Sequence, residues 1–277
     1  MEIQRHLTHS DRISYEDLDW NGARKVGLTT DEVFILTYFS DIESQTLLYM
    51  RDILGTEGVL DPEVFSFLTV WNYEEFYHGR ALATLLEECG HPLGHNRVAE
   101  VRKKALVTET LKRLGAAAFS KGFPAEFLAL YMTWGALNEI TTLRGYEAME
   151  QATRNPALAE LCRRIAKQER RHFAWYFNSA RERLSRSPRA QRIARFVLRH
   201  AWSPVGAGVK KEQDVIRLYN LVFPGRLGET VAEEIDRTIG NLPGLSDLPL
   251  MTRFAQKALP QASPGRLPLA PPPPTAV

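Results

Sequence analysis

Cysteine is scarce in this 277-residue chain. Cys89 and Cys162 are the only two, too few for a disulfide framework. Long apolar runs are missing as well, and none approaches the ~20 residues needed to span a bilayer. The stretch from Met1 to Asp11 lacks the apolar core of a signal peptide. A reducing, cytoplasmic setting is therefore the expectation. No strand pairs and no Gly-rich phosphate loops can be found, so the chain reads as all-α. Gly and Pro are not in excess until residues 259–277, whose polyproline-like run reads as a disordered tail.

What is present is enough apolar material for one large core, at 44% hydrophobic residues. The net charge of +2 hides an asymmetry: residues 153–211 hold 15 Lys/Arg against 3 Asp/Glu. Such a basic segment suits an acidic partner, or is simply a solvated helix face.

Helix signals recur along the chain. Residues 1–28 are polar and aperiodic and read as an arm packed on the body, with Trp20 its main apolar anchor. A bundle with C-terminal helices is expected over 29–258. Thr29 caps a helix running to about Leu54, with acids at Asp31 and Glu32 in its first turn. Asp61-Pro62 opens a second helix ending near Gly90, and 94–114 a further amphipathic one. Phe123-Pro124 opens a helix to about residue 152, and Asn155-Pro156 another to about Leu184. Three shorter helices are expected at 188–201, 211–222 and 226–240.

Four of these helices place an acid inside an apolar stripe. Glu43 interrupts Leu36, Phe39, Leu47, Met50 and Leu54. Glu75 and His78 lie within Leu68, Trp71, Leu82 and Leu85. Glu139 lies between Met132 and Tyr146, and Glu169 with His172 between Ile165 and Tyr176. An uncompensated carboxylate buried there costs several kcal/mol. Three Glu-x-x-His pairs occur where 23 Glu and 7 His give about 0.6 by chance. The Glu88/His91 pair is set aside, because Gly90 inside it reads as a helix end.

Two carboxylates plus two Glu-x-x-His pairs on four helices form the di-iron or di-manganese set of a ferritin-like four-helix bundle, here with additional flanking helices. Four carboxylates offset two divalent cations, and two of them can bridge the ions. Mixed oxygen and imidazole donors suit iron or manganese.

Over roughly residues 29–185 the sequence also resembles the soluble acyl-[acyl-carrier-protein] desaturases. The likeness is most specific at Trp71-Asn72-Tyr73-Glu74-Glu75-Phe76-Tyr77-His78-Gly79 and Gln168-Glu169-Arg170-Arg171-His172, similar to the family's W-x-x-E-E-x-x-H-G and D-E-x-R-H. Asn138-Glu139-Ile140-Thr141-Thr142 looks like the family's Gln-Glu-x-x-Thr. The resemblance implies Glu43, Glu75, His78, Glu139, Glu169 and His172 as ligands of two iron ions, with manganese possible at one site. It implies Thr142 as a hydroxyl on the oxygen-binding side. It further implies an acyl chain delivered on acyl carrier protein, a ferredoxin-type electron donor, a homodimer and no nucleic-acid partner. The family's acid before the last ligand Glu is Gln168 here, which changes either the electron route or the support of a ligand His.

The function expected is O2-dependent insertion of a double bond into a carrier-bound acyl chain. Its alternative is another di-iron oxygenase, a hydroxylase or N-oxygenase. Iron storage and a metal-free helical scaffold are weaker readings. Phe39, Tyr73, Met132, Trp134 and Tyr146 are candidates to line an apolar channel.

Overall fold

A computed structural model describes residues 3–97, 99–101 and 116–259. The helix expected over 94–114 falls mostly outside the described residues, and so does the Pro-rich tail. The N-terminal arm is more ordered than its aperiodic sequence implies. It contains two short helices, α1 (Ile3–Thr8) and α2 (Trp20–Val26). Asp19 caps α2 by accepting the Gly22 N–H. Helices this short are marginal on their own. Arg164 holds the arm by pairing with Asp17 and donating to the Ser14 carbonyl.

The first bundle helix, α3 (Thr30–Glu43), opens on a capping box formed by Thr29 and Glu32. The sequence reads as one helix to about Leu54, but the structure breaks it directly after Glu43. Ser44 and Gln45 form a turn, and α4 (Thr46–Leu54) follows. The Thr46 hydroxyl donates to the Glu43 carbonyl (2.9 Å), satisfying an acceptor that the interrupted helix leaves open. Beyond the break the expected apolar stripe no longer faces inward, since Leu47 and Leu54 are exposed.

The three longest helices are α5 (Pro62–Glu88), α6 (Pro124–Ala152) and α7 (Pro156–Arg186), each with Pro in its first turn. Proline is tolerated there because its missing N–H would have had no intrahelical acceptor. The Asp61 and Asn155 side chains accept N–H groups at the starts of α5 and α7, caps worth about 1 kcal/mol each. Past the end of α5, Gly90 takes a positive φ of 85°. His91 therefore lies off the helix and does not share a face with Glu88.

α6 packs along α7, and α3 packs on α5. Two glycines permit the close approaches. A Cβ on Gly135 would stand 2.3 Å from the Tyr176 ring, and one on Gly79 2.6 Å from Ser44 Oγ. Phe67 stacks on Trp175 at 3.7 Å between centroids. The C-terminal part adds α8 (Pro188–Ala201), α9 (Glu212–Val222), α10 (Arg226–Gly240) and α11 (Leu250–Ala258). The last was not foreseen. Its cap is not local: the Asp236 carboxylate on α10 accepts the N–H groups of Met251 and Thr252 at 2.8 Å. No strand occurs among the described residues, and no described helix is long and apolar enough to cross a membrane.

Candidate metal centre

The structure brings together all six residues singled out in the sequence. Donor atoms of Glu43, Glu75, His78 and Glu169 lie within 4.8 Å of one another, and so do those of Glu75, Glu139, Glu169 and His172. None of the six is more than 6% exposed. Glu75 and Glu169 belong to both groups and present one oxygen to each histidine. His78 Nδ1 lies 3.7 Å from Glu75 Oε2 and 3.3 Å from Glu169 Oε1. His172 Nδ1 lies 3.1 Å from Glu75 Oε1 and 3.4 Å from Glu169 Oε2. Two central carboxylates, each split between two imidazoles, have the form of a pair of bridges. Glu43 and Glu139 are the carboxylates peculiar to one group each, at opposite ends of the cluster.

Orphaned donors test whether the site fits metal. Buried polar atoms nearly always find partners, yet Glu75 Oε1, His78 Nδ1 and Glu169 Oε1 have no hydrogen-bond partner among the described residues. All three belong to the donor groups, which is what two cations would complete. Burial, reinforced by the Glu75 charge, raises Glu43 well above the usual carboxylate range. Burial and then the Glu169 charge do the same to Glu139. Burial works to lower His78, but the Glu169 and Glu75 carboxylates facing its Nδ1 overcome it and lift the imidazole to about 10. Without cations, this much negative charge takes up protons.

Around the six residues lies a set of partners, of which the sequence reading ties only Gln168 to a ligand histidine. His172 Nε2 meets Glu74 Oε2 at 2.6 Å, and His78 Nε2 meets Gln168 Oε1 at 2.7 Å. Both outer nitrogens are thus engaged, leaving both Nδ1 atoms for the centre. Tyr146 donates its hydroxyl to Glu43 Oε1 (2.5 Å), and the Trp71 indole N–H donates to Glu139 Oε1 (3.1 Å). The signal for Glu74 was present in the adjacent acids Glu74-Glu75. A residue one position from the ligand points about 100° away around the helix, so its role is readable only once α7 is in place.

Glu43 also lines an apolar pocket whose empty space, open mouth included, is about 560 Å³. Phe39 and Ile42 of α3, Leu218 and Val222 of α9, and Phe254 of α11 line it, and so does Thr142. The Thr133 and Thr141 hydroxyls bond the carbonyls four residues back. No such bond occupies Thr142. Of the channel candidates named from sequence, only Phe39 lines this pocket. Tyr73 is half exposed, Met132 is core, and Tyr146 is engaged by Glu43.

The arginine-rich segment is partly structural. Arg183 pairs with Asp61, Arg195 donates to the carbonyls of Gly244 and Ser246, and Arg189 lies over the Phe123 ring at 4.3 Å. Arg192 and Arg199 are exposed on α8, beside the 66%-exposed Phe196.

No protein-family model matches this sequence, and no curated protein does. Solved structures do resemble it. One is an R2-like ligand-binding oxidase, a glycine-to-leucine variant with an Fe/Fe cofactor, at 16% identity and TM-score 0.57, covering 93% of this chain and 92% of that one. Another is a tyrosine-to-phenylalanine variant with a Mn/Fe cofactor, at 16% identity and TM-score 0.55 over the same shares. An alanine-to-phenylalanine variant with a Mn/Fe cofactor has 18% identity and TM-score 0.55, covering 93% and 91%. The chain therefore has the all-α ferritin-like fold of these di-metal proteins. They are not acyl-carrier desaturases, so that finer resemblance rests on the motifs alone.

Proposed function

We propose that this chain is an O2-dependent di-metal oxidoreductase, loaded with two iron ions or one manganese and one iron, that oxidises a long apolar substrate. One observation carries the reading: Glu43 lines the apolar pocket and is itself a member of the buried carboxylate–histidine groups. Glu43 and His78 would hold one ion, Glu139 and His172 the other, and Glu75 and Glu169 both. When bound, such a pair supplies the oxidising power toward an unactivated C–H bond that no side chain possesses. The protein does the rest. Tyr146 and Trp71 orient the two end carboxylates, while Gln168 and Glu74 orient the two imidazoles. The pocket walls from α3, α9 and α11 exclude water from the substrate chain, and Thr142 offers a hydroxyl in the pocket that Glu43 also lines. The similar structures are named oxidases with Fe/Fe or Mn/Fe cofactors, which supports the general di-metal oxygenase reading better than a desaturase in particular.

The finer reading is desaturation of an acyl chain carried on acyl carrier protein, with a ferredoxin-type donor supplying electrons. Its support is the motif resemblance and the exposed cationic face of α8, Arg192 and Arg199 with Phe196 between them. Acidic carriers dock on such faces, and the contact weakens with salt.

The test loads the protein with Fe(II), adds reductant and O2, and offers palmitate and stearate both free and on acyl carrier protein. Mass analysis of the recovered chains should show loss of a hydrogen pair or gain of one oxygen. Modification of free chains alone would exclude carrier delivery. Absence of bound metal and of O2 consumption would end the oxidase reading.

A further inference from the structure

Glu74 and Gln168 occupy corresponding places. Each immediately precedes a shared carboxylate, Glu75 on α5 and Glu169 on α7, and each reaches the histidine of the opposite helix at 2.6 and 2.7 Å respectively. One is a carboxylate and the other a carboxamide. Resting on the di-metal reading above, we propose that this difference makes the two metal positions unequal, the ion at Glu139 and His172 being held more tightly than the ion at Glu43 and His78.

The inner donors do not distinguish the positions. Each has one glutamate and one histidine of its own and shares Glu75 and Glu169. The distinction lies behind them. A carboxylate accepting Nε2–H draws that proton outward and leaves more electron density on Nδ1, the atom facing the metal. A hydrogen bond to an ionised acceptor is roughly twice as strong as one to a neutral amide. Arg171 Nη2, 2.8 Å from Glu74 Oε1, fixes that carboxylate and offsets part of its charge without touching the oxygen used by His172. The two end carboxylates are matched, Glu43 accepting from Tyr146 and Glu139 from Trp71, so the difference stays with the two histidines.

The arm explains why these two residues are not exchangeable. Asp11 donates its backbone N–H to Glu74 Oε1 (3.3 Å) and accepts Gln168 Nε2 at its carbonyl (3.0 Å) and at Oδ1 (3.2 Å). One residue thus offers a donor to position 74 and acceptors to position 168. A carboxylate at 168 would face two acceptors with no hydrogen to share. Glu74, Gln168 and Asp11 are positioning residues, acting on the metal through the two histidines.

The test is titration of Mn(II) into chelator-treated, oxygen-free full-length protein, following unbound Mn(II) by its EPR signal. Wild type should bind two ions with dissociation constants about tenfold or more apart. His78→Ala should keep the tighter step and lose the weaker one, and His172→Ala should do the reverse. Glu74→Gln should weaken the tighter step about 10–100-fold. The pair Asp11→Asn with Gln168→Glu should strengthen the weaker one. Thermal melting of each variant checks that it folds. Two ions sharing Glu75 and Glu169 repel each other, so unequal wild-type steps support the inference only together with the opposite losses in the two histidine variants. Two equal steps in wild type, or loss of the tighter step in a folded His78→Ala, would overturn the inference. Failure of wild type to bind any Mn(II) or Fe(II) would instead remove the di-metal reading itself.

Discussion

Glu43, Glu139, His78 and His172 all have their proton affinity raised in the metal-free protein, and each retains a proton at pH values where it would ordinarily have lost it. A divalent ion must displace those protons. Because the values are raised, the competing protons are fully present at low pH and disappear as pH rises, His78 losing its proton only near 10. Apparent metal affinity should therefore climb with pH, and calorimetry of Mn(II) binding in buffers of different ionisation enthalpy should report proton release. Binding without proton release would mean that the ions sit elsewhere. Thr142 offers a second check at this scale. Thr142→Val keeps the shape of the side chain and should leave metal content unchanged, while product formed per O2 consumed falls. Unchanged coupling would make Thr142 an ordinary pocket residue.

The site depends on how closely whole helices approach. A Cβ on Gly79 would lie 2.6 Å from Ser44 Oγ and 3.2 Å from the Ser44 backbone nitrogen, the second a contact that cannot rotate away. Gly79→Val should push α3 off α5, cost about 1–3 kcal/mol, and carry Glu43 away from His78. Metal analysis should then find one ion per chain where wild type holds two; full occupancy would show that the bundle absorbs the bulk. The starts of these helices were legible because proline and a capping side chain act locally, at Asp61-Pro62, Asn155-Pro156 and Thr29. The apolar stripes of α5, α6 and α7 likewise placed their acids on the inner face. The break after Glu43 was hidden, since Ser44-Gln45-Thr46 contains neither Gly nor Pro and the Thr46 hydroxyl stabilises the turn only once it has formed. α11 was hidden because its cap, Asp236, comes from another helix. Glu74 and the pocket walls were hidden because the faces they use are defined by neighbours distant in sequence.

Over the whole molecule, metal and fold should be linked. An ion that binds only the folded chain adds about 2.7 kcal/mol at a free concentration 100 times its dissociation constant. For a chain of this size that is a rise in Tm of about 2–4 °C for each kcal/mol. Melting curves with Mn(II) and with chelator should differ by this amount, and identical curves would count against a structural metal pair. The arm has a further consequence, for synthesis on the ribosome. Asp11 waits for Gln168, 157 residues later in the chain. At about 5–20 residues per second, that is roughly 8–30 s before the arm's partner on α7 exists, although Glu74 on α5 is made earlier. His172 is made later still, so a nascent chain cannot assemble either donor group until more than half of it has been translated. A complete donor group therefore cannot nucleate folding before Glu169 has been made, since both groups contain it.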